Sequence, residues 1–424
     1  MSALLALVLA SSSATWLRFP GGPRSVAGLG DLDGDERAEV ALACSFRGER
    51  LGRVRLVDGA SGGVLREWRG ERAEEEFGAS VAACCDVDHD GRSDLAIAAP
   101  GSERVELVSS ATGACVRRLA PPRRAARFGE ELANAGDVDG DGLVDLVVGA
   151  PGANRAYVFG GKDGRLLLDL DGTAESGSFG RAVAGGDLDG DGRADILVGA
   201  PSQESSGRVH AFSGRDGHRL WGEFGFALPK SEVAARLGIS VALFEDLDGD
   251  GRCEVLAGAD GVGSSGRVYV LNGKNGTKRW SVEGLDPAIA CFGSSVAALG
   301  DVDGDGVRDF VIGDPDDSEA LDGPDDFMLR GQAPGSVHVV SGCTGRRLWF
   351  AFGDEEFDCL GYCVANAGDV DGDGHDDVVA LVRNGLPWGR NEPYFRFYSG
   401  KDGRLVREVR FAEVPRAEKV GADK

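Results

Sequence analysis

The sequence predicts an all-β fold, a seven-bladed β-propeller of four-stranded antiparallel blades, from three observations. An acidic pattern, Asp-x-Asp-x-Asp-x-x-x-(Asp/Glu), occurs seven times at intervals of 50 to 68 residues. Strand-length apolar segments separated by turn residues follow each copy. Glycine makes up 67 of the 424 residues. That abundance suits short strands and tight turns, because glycine destabilises a helix by about 1 kcal/mol per site.

The third unit shows the elements of one predicted blade in order. A first segment leads into the acidic loop at 137–145, and the apolar run 146–150 follows directly. A Pro-Gly break precedes a third segment at 156–159, and a glycine turn joins it to a fourth at 166–168. The unit has no sustained 3.6-residue period, so the four segments are predicted to be strands.

Closure of the repeats into a ring follows from the apolar faces of the sheets. A lone four-stranded sheet exposes both faces, whereas radial stacking buries them and leaves only short edges. A linear solenoid is the alternative, but it needs polar capping repeats, and the terminal units here resemble the middle ones. Which strand closes the ring stays open at this point.

The propeller is predicted to span residues 24–412, between an N-terminal segment at 1–23 and a polar C-terminal tail at 413–424. The apolar run 4–10 and the small residues up to Ala14 resemble a secretory cleavage region, although no Lys or Arg precedes the run. We therefore expect the segment to hold a signal-peptide remnant and an edge strand, and the protein to be secreted, in the extracellular space or the cell envelope.

The acidic loops are predicted to bind Ca²⁺. Their spacing places side chains 1, 3 and 5, the carbonyl of residue 7 and carboxylate 9 around one point, and Ca²⁺ takes six to eight such oxygen ligands. Zinc prefers His or Cys. Asp-Gly turns alone would not explain the third and fourth carboxylates. The predicted ligands of the seven loops are Asp31, Asp33, Asp35, Arg37 and Glu39; Asp86, Asp88, Asp90, Arg92 and Asp94; Asp137, Asp139, Asp141, Leu143 and Asp145; Asp187, Asp189, Asp191, Arg193 and Asp195; Asp246, Asp248, Asp250, Arg252 and Glu254; Asp301, Asp303, Asp305, Val307 and Asp309; and Asp369, Asp371, Asp373, His375 and Asp377.

The loops differ in quality, and we expect five to seven bound ions. The third, fourth and sixth loops combine glycine at position 6 with Asp at position 9. The fifth ends in Glu254, which is one methylene longer. The first has Glu36 in place of the turn glycine and Glu39 at position 9. We therefore predict that the first loop binds most weakly and loses its ion earliest.

The formal net charge of −24 is interpreted mainly as ligand charge, since seven divalent ions would offset more than half of it. Nucleic-acid binding is disfavoured, because it needs a basic surface that neutralises phosphates. No apolar stretch approaches the roughly 20 residues that span a bilayer. The five histidines show no metal-ligand spacing, and there is no Cys-x-x-Cys pair.

Two further motifs accompany the acidic loops. Phe-Gly opens four units and Gly-Ala-Pro follows the second strand of two, at Phe77-Gly78, Phe128-Gly129, Phe179-Gly180, Phe292-Gly293, Gly149-Ala150-Pro151 and Gly199-Ala200-Pro201. Together these residues resemble the FG-GAP repeats of the integrin α-subunit N-terminal β-propeller. The resemblance implies Ca²⁺ at the loops between first and second strands, with partners on the opposite face. Unlike that family, this chain carries acidic loops in all seven units and no inserted ligand-binding domain, which favours a free-standing secreted propeller.

The predicted function is a noncatalytic adhesion or scaffold module, a monomeric propeller that binds a protein or a glycan. Three long connections, 314–334, 384–393 and 223–235, are hypothesised to form an acidic and aromatic rim for that partner; otherwise they are tolerated insertions.

The alternative is a propeller enzyme of the quinoprotein or polysaccharide-acting type. Gly59-Ala60-Ser61-Gly62-Gly63 matches a nucleophile-elbow pattern, but an elbow joins a strand to a helix, and this segment is predicted to be a hairpin turn. Trp221 and Trp349, which suggest a quinoprotein, are interpreted as blade-to-blade packing residues.

Overall fold

The computed structural model is an all-β, seven-bladed propeller and confirms the predicted fold class. It describes residues 22–45, 51–172, 177–221, 226–227, 235–263, 265–285, 291–317, 334–355, 358–383 and 393–411. Seven sheets each contain four antiparallel strands that are consecutive in the chain. Within these ranges, no helix has the length and apolar character needed to cross a bilayer. The predicted N-terminal segment and C-terminal tail lie almost wholly outside the described residues.

The strands of each blade follow one another in chain order. Blades 1 to 4 contain β1 (Gly22–Gly30), β2 (Glu39–Ser45), β3 (Arg53–Val57) and β4 (Val64–Arg69); β5 (Val81–Cys84), β6 (Asp94–Ala99), β7 (Arg104–Val108) and β8 (Cys115–Leu119); β9 (Glu131–Gly136), β10 (Asp145–Ala150), β11 (Arg155–Phe159) and β12 (Leu166–Asp171); and β13 (Ala182–Gly186), β14 (Asp195–Ala200), β15 (Arg208–Phe212) and β16 (Phe226–Ala227). Blades 5 to 7 contain β17 (Val241–Leu243), β18 (Val255–Ala259), β19 (Arg267–Leu271) and β20 (Lys278–Glu283); β21 (Ser295–Ala298), β22 (Phe310–Asp314), β23 (Ser336–Val340) and β24 (Arg347–Phe352); and β25 (Val364–Gly368), β26 (Asp377–Val382), β27 (Tyr394–Tyr398) and β28 (Leu405–Arg410). Short 3₁₀ helices in the described parts are Ala73–Glu75, Pro100–Ser102, Pro151–Ala153 and Gln203–Ser205.

The ring closes by packing of blade 7 on blade 1, without a strand shared between them. The first strand of every blade contacts the first strands of both neighbours, and β25 contacts β1. Across the same junction, the Ala38 N–H donates to the carbonyl of Asp369 at 3.3 Å. The Arg407 guanidinium donates to the carbonyls of Gly59 and Ala60. These contacts settle which element closes the ring.

The hydrophobic core is divided into seven clusters, one at each interface between neighbouring blades. The cluster between blades 2 and 3, for example, contains Leu107, Phe128, Val148 and Tyr157, all at most 2% exposed. Because each cluster draws on two sheets, a single blade cannot bury its own faces. The blades therefore depend on one another for stability.

Tryptophans of the outer strands connect one blade to the next. The indole N–H of Trp68 donates to the Gly113 carbonyl at 2.9 Å, that of Trp221 to Gly273 at 2.6 Å, and that of Trp349 to Gly400 at 2.5 Å. Each acceptor lies in the hairpin turn of the following blade. Trp221 and Trp349 are thus blade-to-blade residues, as interpreted from the sequence.

The Gly-x-Ser-x-Gly segment is the turn between β3 and β4, in agreement with the sequence interpretation. The Ser61 hydroxyl donates to Asp58 Oδ2 at 2.6 Å within that turn. The strand-to-helix geometry of a nucleophile elbow is absent here.

The glycines of the two motifs meet at the blade interfaces. Gly129 has a φ of 85° and donates its N–H to the Gly149 carbonyl of the same blade at 2.9 Å. A Cβ on Gly149 would lie 2.1 Å from the carbonyl oxygen of Gly180, which belongs to the next blade. The Phe-Gly motif needs glycine for its left-handed backbone, and the Gly-Ala-Pro motif needs glycine because the backbone of the next blade approaches so closely.

Candidate metal loops

The seven acidic loops join the first and second strands of their blades and lie on one face of the ring. The structure brings the first, third and ninth carboxylates together in the first, third and fourth loops, and the first, third and fifth in the second loop. Their oxygens lie within 4.8 Å of one another in four groups, Asp31–Asp33–Glu39, Asp86–Asp88–Asp90, Asp137–Asp139–Asp145 and Asp187–Asp189–Asp195. This convergence is what the spacing of the pattern predicts for a cation site.

The first aspartate organises the backbone of each loop. Asp137 accepts the N–H of Gly140 on Oδ1 at 2.7 Å and the N–H of Gly142 on Oδ2 at 2.8 Å. Asp246 accepts the equivalent N–H groups of Gly249 and Gly251, both at 2.7 Å. The Gly251 N–H is the main cause that lowers the pKa of Asp246. The loops are therefore folded around an ionised carboxylate.

The ninth residue connects the loop to the turn between the third and fourth strands of the same blade. Asp145 Oδ2 accepts the N–H of Val138 at 2.9 Å, and its Oδ1 accepts the N–H of Gly161 at 2.8 Å. Four other loops repeat this pair of bonds, through Asp94 with Val87 and Ser110, Asp195 with Leu188 and Gly214, Asp309 with Val302 and Gly342, and Asp377 with Val370 and Gly400.

These ninth-position carboxylates carry negative charge that the protein itself compensates poorly. Burial raises the pKa of Asp195 and of Asp309 to about 6, and that of Asp377 to about 7. The third-position aspartate of the same loop raises each pKa further: Asp189 acts on Asp195, Asp303 on Asp309 and Asp371 on Asp377. A divalent cation between the carboxylates would supply the missing positive charge, so the residues fit such an ion.

The first loop departs from the others at both of its glutamates. Glu36 takes a left-handed φ of 68° where other loops have glycine. Glu39 is fully buried; its Oε2 accepts the Leu32 N–H at 2.6 Å, while Oε1 has no hydrogen-bond partner. Burial raises the pKa of Glu39 to about 7. The left-handed backbone at Glu36, which a glycine would adopt without strain, supports the prediction that this loop binds most weakly.

The side chain of an arginine from another strand, Arg279, enters the fifth loop. The sequence analysis did not predict this contact. Nη1 of Arg279 lies 2.6 Å from Asp248 Oδ2 and 2.5 Å from Glu254 Oε1. It therefore bridges the third- and ninth-position carboxylates that a cation would bridge. Arg165 and Arg404 contact only the third-position carboxylates of their own loops, Asp139 and Asp371. Arg279 lies in another strand, 25 residues after Glu254, so the sequence of the loop does not indicate this contact.

Replacing Arg279 with Gln is expected to raise the Ca²⁺ affinity of the fifth loop about tenfold, because one half-buried positive group that competes for the two carboxylates is removed. Calorimetric titration of the chelator-treated protein with Ca²⁺ measures the change. Arg165→Gln is the matched control, since Arg165 contacts the third-position Asp139 and the turn residue Asp163 and leaves the ninth-position Asp145 to the ion; its effect should be under threefold. Equal effects of the two variants would contradict the prediction.

Three pairs of neighbouring loops are joined by a backbone hydrogen bond. The N–H of the eighth residue donates to the first-position carbonyl of the preceding loop, Ala194 to Asp137 at 2.8 Å and Cys253 to Asp187 at 3.5 Å. The bond from Ala38 to Asp369 is the same contact across the ring closure. An ion that orders one loop thus also orders the interface with the next blade.

Family comparisons agree with this geometry. Residues 77–108, 128–168 and 179–212 match the family model for the FG-GAP repeat, and residues 246–312 match that for an FG-GAP-like repeat. The chain contains FG-GAP repeats. Its propeller resembles those of integrin α subunits: it is 31% identical to integrin alpha-4 of Xenopus laevis over 55% of this chain, and 34% identical to integrin alpha-5 of Xenopus laevis over 35% of it. These matches cover 23% and 15% of the relatives' own lengths.

The opposite face of the FG-GAP propeller differs from the hypothesised rim. Asp316 and Asp317 were expected in that exposed rim, but they are buried, with 8% and 0% exposure, as is Asp314 at 0%. Burial raises the pKa of Asp314 well above its ordinary value, and Asp317 raises it further. The rest of the rim, residues 318–333, 384–392 and most of 223–235, lies outside the described residues.

Proposed function

We propose that this FG-GAP protein is a calcium-binding propeller that acts outside the cytoplasm as a noncatalytic binding module for a protein or a glycan. One observation carries the proposal: carboxylates from positions 1, 3 and 9 converge within 4.8 Å in the first, third and fourth acidic loops, on one face of the ring. The ions would brace that face, and the opposite face would then hold the partner. The similarity of the chain to integrin alpha subunits also supports this assignment.

Calcium suits the loops better than other biological cations. Every donor in the third loop, Asp137, Asp139, Asp141, Asp145 and the carbonyl of Leu143, is an oxygen atom. Such open loops, carried on turns, bind Ca²⁺ with the 10⁻⁴–10⁻³ M dissociation constants typical of extracellular modules. Millimolar Ca²⁺ would fill them, and cytosolic concentrations would leave them empty, which supports a location outside the cytoplasm.

The stoichiometry of Ca²⁺ is expected to lie between five and seven ions per chain, with the ion of the first loop released at the highest free Ca²⁺. Titration of chelator-treated protein with Ca²⁺ gives the number. Repeating it with Glu39→Gln, which removes the charge of that ninth-position ligand, should delete the weakest binding event and leave the others. Binding of one ion or none would exclude the calcium assignment.

The partner face has an exposed aromatic residue, Tyr362. Tyr362 precedes β25 on the side opposite the acidic loop and is 37% exposed, and the guanidinium carbon of Arg383 lies 4.7 Å from its ring centroid. Exposed tyrosine beside arginine is the composition that recurs at binding hot spots.

The binding role is tested with arrays of purified glycans and extracellular matrix proteins, probed with the full chain in Ca²⁺ and in chelator. We expect at least one saturable ligand whose affinity falls more than tenfold in chelator and in Tyr362→Ala. Val116→Ala, an equally exposed apolar position on the outer strand β8, is the control. No ligand in Ca²⁺, or turnover of a glycan, would refute a noncatalytic binding module.

A further inference from the structure

The sixth blade carries a second cluster of ligand atoms at the end of the sheet remote from its acidic loop. Asp314 ends β22, Ser336 begins β23 and His338 follows it, whereas the ninth-position Asp309 lies before the other end of β22. The two aspartates are five positions apart along the strand, which corresponds to about 16 Å. The cluster is therefore independent of the acidic loops.

Asp314, Asp317 and His338 are each 0% exposed, and one ligand atom from each lies within 4.8 Å of the others. Nε2 of His338 is 3.7 Å from Asp317 Oδ2. Two ligands on a tetrahedral Zn²⁺ are about 3.3 Å apart, given Zn–N and Zn–O distances near 2 Å. The spacing of these atoms is thus close to that of a metal centre.

One carboxylate oxygen in the cluster is buried without a partner. Oδ1 of Asp314 accepts the Cys291 N–H at 2.7 Å, but Oδ2 has no hydrogen-bond partner in the described structure. Asp317 Oδ2 accepts the Ser336 hydroxyl at 2.6 Å. An unsatisfied buried carboxylate oxygen is costly, and two acids whose oxygens lie within 4.8 Å of each other repel when both are ionised.

The other six blades show that the fold does not require this carboxylate. At the register of Asp314 they have small or apolar residues, and opposite these five of them have arginine where the sixth blade has serine. The pairs are Cys44–Arg53, Ala99–Arg104, Ala150–Arg155, Ala200–Arg208, Ala259–Arg267 and Val382–Tyr394, compared with Asp314–Ser336. In the sixth blade, Asp314 thus stands where the other blades have a small or apolar residue, and Ser336 stands where five of them have arginine.

The fourth blade supplies a neutral counterpart. His210 occupies the register of His338, and its Nε2 lies 2.8 Å from the side-chain oxygen of Gln203. Gln203 follows Ala200 by three residues, as Asp317 follows Asp314. An amide is sufficient to hold a buried histidine at this place, so the two acids of the sixth blade need another explanation.

We infer that Asp314, Asp317 and His338 form a binding site for a first-row transition-metal dication, Zn²⁺ being the test ion. Imidazole nitrogen together with carboxylate oxygen favours such an ion over Ca²⁺ or Mg²⁺, which prefer oxygen alone. The dication would bond to Asp314 Oδ2, balance both carboxylates and take the lone pair of one imidazole nitrogen. Three protein ligands leave a fourth position for water or another donor.

The site is tested on the full chain, stripped with chelator and then saturated with Ca²⁺ so that the acidic loops are filled. Calorimetric titration with Zn²⁺ should show one ion per chain, and Co²⁺ should give the visible absorption of a four-coordinate centre. His338→Gln should weaken Zn²⁺ binding at least tenfold. His210→Gln, the matched control in the fourth blade, should leave it unchanged.

Asp314→Ala restores the alanine of four other blades, so the variant is expected to fold. In chelator it should be as stable as the parent protein or more so, because a buried repulsion is removed. Zn²⁺ should raise the unfolding midpoint of the parent but not of Asp314→Ala. Absence of stoichiometric Zn²⁺ binding in the parent, or its retention in Asp314→Ala, would overturn the inference. Failure of Ca²⁺ to bind the loops is detected separately in the Ca²⁺ titration.

Discussion

Removal of Ca²⁺ is expected to lower the thermal unfolding midpoint of the propeller by about 10 °C. A ligand at ten times its dissociation constant stabilises the folded state by about 1.4 kcal/mol per site, so five to seven sites contribute roughly 7 to 10 kcal/mol. Unfolding entropy near 2.1 cal/mol/K per residue converts that sum, for a propeller of this size, into a shift of about 10 °C.

The physical reason for this large effect is that the loops are linked to one another as well as to their blades. Without the ion, buried carboxylates such as Asp195 and Asp377 remain beside other acidic groups of their loops. The bonds from Ala194 to Asp137 and from Ala38 to Asp369 then connect destabilised loops across blade interfaces. Loss of the ions should therefore weaken the whole ring rather than seven independent turns.

Differential scanning calorimetry in Ca²⁺ and in chelator, at matched ionic strength, measures the shift. Mg²⁺ in place of Ca²⁺ is the control, since Mg²⁺ demands a stricter octahedron and should restore only a small part of the stability. A midpoint that is unchanged in chelator would show that the loops are ordinary turns.

The repeat pattern predicted the fold because the same local signals recur seven times. The spacing of the acidic loops, the apolar second strands and the glycine turns each indicate the same four-stranded unit. The tryptophans could also be assigned, since they lie in or near the predicted fourth strand of a unit, where a large side chain can reach a neighbouring blade. Closure of the ring by Arg407 on Gly59 joins residues 348 apart, and no local pattern reports such a contact.

The candidate sites were predictable to the extent that their ligands are close in sequence. All five ligand positions of an acidic loop lie within nine residues, so the spacing alone indicates them. Arg279 enters the fifth loop from another strand, and His338 meets Asp314 across a strand pair. Asp317 was expected at the surface because it begins a long acidic connection, yet it is buried. In each case the missed information is tertiary.

The Gly149→Ala substitution is expected to reduce the free energy of unfolding by about 3 kcal/mol or more, because the new methyl group has no space. Its Cβ would lie 2.1 Å from the Gly180 carbonyl oxygen, and backbone cannot move aside as a flexible side chain can. The Gly180 N–H is itself bonded to the Gly199 carbonyl at 3.1 Å in its own blade. Relief of the clash would therefore separate blades 3 and 4 and expose part of the cluster that contains Val147 and Phe179.

Chemical denaturation of the Ca²⁺-loaded variant measures this loss. Gly160→Ala in the same blade is the matched control, since its Cβ would approach only side-chain atoms, the nearest being Asp163 Oδ1 at 3.3 Å. Neither glycine has a left-handed φ, so alanine causes no backbone strain at either position. The two variants therefore differ mainly in the space available to one methyl group. The control should change the free energy of unfolding by less than about 1 kcal/mol. Similar losses in both variants would mean that the Gly-Ala-Pro glycine is not required by the approach of the next blade, and that the blades are held together by their hydrophobic clusters alone.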